Sequence, residues 1–230
     1  VLDPADATTI NEVELVGQGR LLQTGGPTKR AFFLDAGGEL RAPSGDTLDQ
    51  VTVSDAANLA LAVFRRLPPA LYRLTDGAAV PAPWLATRSR AWLTGSGRFV
   101  VAQGVADLEV VEVGTGRTVG HQGISGITRL ELAMRDTRAV VVTSTELRVL
   151  ELPSLTEKLR LPIRKEMSIN RLEGGVLYEL RIGETSRLLD VPNGVLLPWS
   201  VAVVVSGSLN AAVVGTRLLL QSYGDGGEIE

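Results

Sequence analysis

The chain has no cysteine among its 230 residues, which excludes disulfides, cysteine-based zinc sites and thiol catalysis. It has a single histidine, so no metal site can rest on several imidazoles. Aromatic residues make up only 4%, and the core must therefore be built from Val, Leu, Ala and Ile. Positive charge is not in excess either: 23 Lys and Arg face 26 Asp and Glu, a net charge of −3. General nucleic-acid binding needs the opposite balance, because cationic side chains must displace phosphate counterions. No apolar run approaches the roughly 18 residues of a membrane span, and a run such as VAVVV at 201–205 is the length of a strand. Membrane insertion is not expected. The opening VLDPAD has neither a charged n-region nor an apolar h-region, so no signal peptide is expected. It also lacks an initiator Met, as an excised domain or a processed chain would. A reducing compartment suits a thiol-free chain, and the expected location is cytoplasmic.

What the sequence does contain is 44% hydrophobic residues, ample for a buried core. They fall in short runs of β-branched and aliphatic residues, such as RFVVAQG, DLEVVEV, RAVVVTST and ELRVLEL. Gly or Pro cuts these runs too often for long helices, and a 3.6-residue period is almost absent. Such residues pack well on a pleated surface, so the expected class is all-β. A repeat appears when the runs are superposed. An apolar strand ends, often at an acid, and a turn follows: FLDAGGE at Asp35, YRLTDG at Leu74, VVEVGTG at Glu112, VLELPSL at Glu151 and LLDVPNG at Asp190. Successive separations are 39, 38, 39 and 39 residues, and a degenerate copy at Gln221 follows after 31.

In its central third, GRFVVAQGVADLEVVEVGTGRTV followed by GHQGISGITRLEL resembles two units of a WD40-type β-propeller. A strand, a turn with Asp107, a strand ending where Trp-Asp belongs, a TGR turn and an outer strand come in the family's order. Gly120-His121 then matches its Gly-His opening. No copy carries Trp-Asp; its place is held by Leu34-Asp35, Val111-Glu112, Leu150-Glu151 and Leu189-Asp190. The resemblance implies a single β-propeller over residues 1–230, with six four-stranded blades of about 39 residues. The units are expected at 12–44, 47–85, 90–126, 127–164, 168–197 and 199–230. Closing blades into a ring covers faces that no blade can bury alone. VLDPADATTI or the terminal GEIE could supply the closing strand.

Gly114, Gly116 and Gly120 do not make a dinucleotide fingerprint. The third glycine comes one position late, and strand residues follow where a helix must open; a hairpin turn is expected. GGPTKR at 25–30 lacks the spacing of a phosphate-binding loop. His121 could serve as a general base. The resemblance instead makes it a buried strut, hydrogen-bonded to an acid and a hydroxyl near Thr143, Ser144 and Glu146. Asp35, Glu112, Glu151 and Asp190 share one repeat position, so they belong to different blades and cannot converge as a catalytic carboxylate pair.

No cofactor and no catalytic constellation is expected. The leading functional expectation is a non-catalytic scaffold that binds another protein or a peptide, with an acidic partner as the candidate. Its candidate residues lie in loops opening on one propeller face: Arg65, Arg66, Trp84, Arg88, Arg164, Lys165 and Trp199, with Lys29, Arg30 and Arg90 nearby. Arg and Trp are the residues most enriched at interface hot spots. The alternative is a channel-bound metal-dependent hydrolase resembling six-bladed lactonases, or a propeller holding a small ligand. Asn11, Glu12, Asp49 and Asn170 would then supply oxygen ligands from the starts of inner strands.

Overall fold

The computed structural model describes residues 13–16, 21–24, 31–34, 40–41, 46–133, 136–164, 166–171, 177–182, 185–202, 209–214 and 217–222. Antiparallel sheets follow one another along the chain, and there is no α-helix among the described residues. The first sheet holds β1 (Val13–Val16), β2 (Leu21–Thr24), β3 (Ala31–Leu34) and β4 (Leu40–Arg41). The second holds β5 (Leu48–Ser54), β6 (Leu59–Phe64), β7 (Ala70–Arg73) and β8 (Ala79–Val80), and the third holds β9 (Arg90–Leu93), β10 (Phe99–Gln103), β11 (Asp107–Glu112) and β12 (Arg117–Gly123). These sheets form one compact unit, which ends at Ser125. A second unit begins at Gly126. It has β13 (Ile127–Ala133), β14 (Arg138–Thr143), β15 (Glu146–Glu151) and β16 (Thr156–Pro162), then β17 (Met167–Arg171), β18 (Leu177–Ile182), β19 (Thr185–Asp190) and β20 (Val195–Ala202). A two-stranded sheet of β21 (Leu209–Val214) and β22 (Arg217–Ser222) completes it.

Within each sheet the strands lie side by side in sequence order, each antiparallel to the next. The near-continuous hydrophobic runs are explained by burial on both faces of the middle strands. In β6, Ala60, Ala62 and Phe64 face one cluster with Phe33, Leu48 and Tyr72, where the Phe33 and Tyr72 rings lie 5.3 Å apart. The alternate residues Leu61 and Val63 face a second cluster with Leu71, Leu85, Leu93 and Val100. In the second unit, Val140, Val142, Leu147 and Val149 pack with Tyr178, Leu180 and Leu189. Each buried Val, Leu or Phe side chain contributes about 1.5–3 kcal/mol by leaving water. As the repeat requires, Val111, Val149 and Leu189 are buried, and Glu112, Glu151 and Asp190 end the third strands of separate sheets.

The structure also explains the 39-residue step. The N–H groups of Gly77, Gly116 and Leu155 donate to the carbonyls of Arg73, Glu112 and Glu151 at 2.9, 2.8 and 2.7 Å. Gly194 stands at the same place after Asp190, and all four turn residues have positive φ. The geometric equivalent in the second sheet is thus Arg73, not Leu74, and the spacing from 73 to 190 is uniform. The 113–116 stretch is therefore a hairpin turn. One expected boundary moves: β20 runs through Trp199 to Ala202, so the fifth unit does not end at Leu197. Trp199 lies on a strand rather than in a connecting loop. Asp35 falls outside the described residues.

Candidate functional site

Loops of two neighbouring sheets gather at one end of the first unit. Arg65 N–H donates to Thr47 O at 2.9 Å, so the β6–β7 loop sits where β5 begins. Gln103 pairs with Arg90, so the β10–β11 loop sits where β9 begins. β5 and β9 run alongside each other in the same direction: Leu93 N–H donates to Thr52 Oγ1 at 3.0 Å, and Ser54 Oγ donates to Gly95 O at 2.7 Å. The two loops therefore share one end. They carry Arg65, Arg66 and Leu67 on one side and Val105 on the other, with the exposed Arg90 between them in sequence.

The β6–β7 loop is held by a residue that sequence reasoning missed. Asp46 Oδ2 accepts from Arg66 N at 2.7 Å and Leu67 N at 3.2 Å, while Oδ1 accepts from Thr47 N at 2.8 Å. The Arg66 N–H foremost, with the N–H groups of Thr47 and Leu67 and the Arg66 charge, holds the Asp46 carboxyl below its ordinary range against an opposing effect of desolvation. Its signal was Gly45-Asp46-Thr47 ahead of a strand, a turn residue whose carboxylate can serve backbone N–H groups. Arg65 lies 3.7 Å from Asp49. Arg66 and Arg90 have no carboxylate within ion-pair distance among the described residues.

Arg88 behaves differently from an open surface cation. Its side chain is only 15% exposed, with Nη1 3.1 Å from Asp107 Oδ2 and Nη2 bonded to Glu109 Oε2. Gly104 makes room for this pairing, since a Cβ there would lie 2.0 Å from Asp107 Oδ1 and 2.9 Å from Arg88 Nη1. Arg88 thus ties the connection before β9 to the hairpin after β10. That is the strut role the resemblance assigned to His121. His121 itself is not buried: it lies on edge strand β12, 59% exposed, with Nε2 3.8 Å from Asp107 Oδ2. The cause is that β12 runs on through His121 to Gly123 and pairs it with Glu109, so it never enters the next sheet's connection. Thr143 instead serves its own hairpin, through Glu146 N–H at 3.1 Å. Asp107, Glu109 and His121 are the one group of metal-ligand type whose atoms lie within 4.8 Å of one another among the described residues. The cation on its carboxylates is the protein's own guanidinium.

Trp84 is half-buried in the cluster with Leu85 and Val100. A Cβ on Gly116 would meet its Cδ1 at 3.3 Å, which puts the indole beside the β11–β12 turn, at the other end of the sheet from Asp107. It therefore packs between sheets and does not join the loop end. Arg164 is exposed between β16 and β17 in the second unit. Lys29, Arg30 and Lys165 lie outside the described residues, as does the side chain of Trp199. Of the alternative ligand set, Asp49 pairs with Arg65 and Asn170 Nδ2 donates to Glu179 Oε2 at 3.0 Å; Asn11 and Glu12 are outside the described residues. The acids of the repeat serve their own turns: Glu112 accepts from Thr115 at 2.9 Å, and Glu151 lies 2.8 Å from Lys158. Those partners, Thr115 and Lys158 first, hold both carboxyls below their ordinary range.

No protein-family model and no curated protein matches the sequence. Among solved structures, the chain is similar to the β-propeller domain of Cps50 (Swd1) from Myceliophteria thermophila. The TM-score is 0.58 and the identity 14%, over 92% of this chain and 82% of that one. The fold is that of a β-propeller. In all, 973 solved chains match, and a fold so widely shared does not by itself select a function.

Proposed function

We propose that this chain is a non-catalytic propeller module, a single domain over 1–230, that works by binding another protein or a peptide. The observation that carries the reading is that exposed Arg65, Arg66 and Arg90 lie at one end of the first unit, Arg65 and Arg66 on a loop anchored by Asp46. A pre-set loop loses less freedom on binding than a floating one, so its contacts yield more net affinity. Among the expected residues, Arg65 and Arg66 are the most direct candidates. Arg88 supports them by holding the adjoining connection, and Arg164, Lys165 and Trp199 remain candidates on the second unit. A predominantly acidic partner suits the arginines. Affinity capture from source lysate, comparing the wild type with Arg65→Glu/Arg66→Glu, tests the reading. The double variant should lose a partner, chiefly through slower association, and the difference should shrink in high salt. Identical captured proteins would refute the assignment of this face.

A further inference from the structure

Building on that reading, we propose that the first-unit end recognises a mixed segment, acidic and aliphatic together, and not acidity alone. The observation is the company kept by its two arginines that form no ion pair among the described residues, Arg66 and Arg90. Val105 is 93% exposed at the tip of the β10–β11 loop, and Leu67 is 49% exposed at the tip of the β6–β7 loop. Together with Val195 they are the exposed large hydrophobics among the described residues, and these two share one end of neighbouring sheets. Scattered exposed apolar residues are ordinary; two placed on hairpin tips at one end of neighbouring sheets, with exposed arginines at that same end, suggest anchors. Arg66 adjoins Leu67 in the chain, and Arg90 starts the strand whose partner, Gln103, leads into the Val105 tip. The remaining arginines of this end are matched by their own acids, Arg65 by Asp49 and Arg88 by Asp107 and Glu109. Arg66 attracts Asp46 without forming an ion pair, so the capacity left for a partner rests on two guanidiniums outside ion pairs and two aliphatic tips. Carboxylates would meet Arg66 and Arg90 in charge-assisted hydrogen bonds, while aliphatic side chains would cover Leu67 and Val105. A purely acidic segment would leave the tips in water, and a basic one would oppose the arginines.

Fluorescence anisotropy of the full chain with three labelled pools of ten-residue peptides tests this. One pool mixes Asp and Glu with Leu and Val, one mixes Asp and Glu with Ser and Gly, and one mixes Lys and Arg with Leu and Val. The first pool should bind at least tenfold more tightly than the other two. Leu67→Ser/Val105→Ser and Arg66→Gln/Arg90→Gln should each weaken it about tenfold, with thermal melts unchanged because all four residues are exposed. Equal binding of the first two pools, or insensitivity to Leu67→Ser/Val105→Ser, would overturn the inference. So would no binding of any pool, whereas the lysate capture above stands or falls independently of the peptides.

Discussion

The third and fourth sheets share a backbone and differ in how they settle their charge. Glu109 pairs with His121 in one and Arg148 with Arg160 in the other, each residue 39 positions from its counterpart. A bulge falls at the same place, after Val110 and after Val149. In the fourth sheet, β15 and β16 neutralise themselves: Arg148 bonds Glu146 and lies 3.5 Å from Glu157, and Arg160 lies 3.7 and 3.0 Å from the same two acids. In the third sheet Asp107 and Glu109 both carry negative charge, and Arg88 is brought from the connection before β9 to meet them. The repeat thus fixes strand register and turn geometry but leaves electrostatics free. Where charge is balanced from elsewhere in the chain, a loop is tied down, and that loop borders the proposed binding end.

The largest test of this contrast is Arg88→Ala. It strands two largely buried carboxylates, and urea unfolding should show a loss of about 2–3 kcal/mol. Arg160→Ala removes a half-exposed cation from a network that keeps Arg148, so its loss should stay under about 1 kcal/mol. Equal losses would erase the distinction between imported and local charge balance.

The two turns offer a second test. Leu155 holds a positive φ of 59° that costs a non-glycine residue energy, yet it is buried. Leu155→Gly relieves about 1 kcal/mol of backbone cost but gives up about 1.5–3 kcal/mol of burial. A net destabilisation of about 1 kcal/mol should appear by the same unfolding measurement. Gly116→Ala runs the other way, adding about 1–2 kcal/mol of left-handed strain while its new Cβ crowds Trp84. A stabilised Leu155→Gly variant would show that burial does not decide that turn.

The smallest effect concerns Asp46. Its carboxyl is depressed from 3.8 by the N–H groups it accepts, that of Arg66 first. A depressed carboxyl lends stability above its unfolded value and loses it as pH falls through the folded one. Protection of the Arg66 and Leu67 amides against hydrogen exchange should therefore be constant at neutral pH and decline only in acid, from the ordinary carboxylate range down through the lower folded value. In Asp46→Asn it should be lower throughout and lack that acid step. An unchanged profile would mean that the carboxylate does not hold the loop.

These contrasts mark what was legible in sequence. Strand-ending acids and glycines at a 39-residue step disclosed the sheets, because turn geometry demands particular residues at fixed places. The one-residue slip at Leu74 arose because Arg73 reverses the usual order, with the acid at Asp76 (Arg73 Nε to Asp76 Oδ1, 3.1 Å). His121 misled for a different reason: a Gly-His pair reads alike whether the strand stops before it or runs through it. Arg88 and Asp46 act through contacts 19 to 21 residues away, and no local pattern announces such partners. Trp84 carried an interface residue's identity, but burial between sheets is a tertiary fact.

The central claim, that the loop end of the first unit is the binding surface, is tested most directly by hydrogen exchange of the chain with and without its captured partner. Protection on binding should appear in 65–69, 87–90 and 103–107 and be absent from the turn at 113–116 on the opposite end of the third sheet. Protection confined to that turn, or to the outer strand β16, would contradict the account.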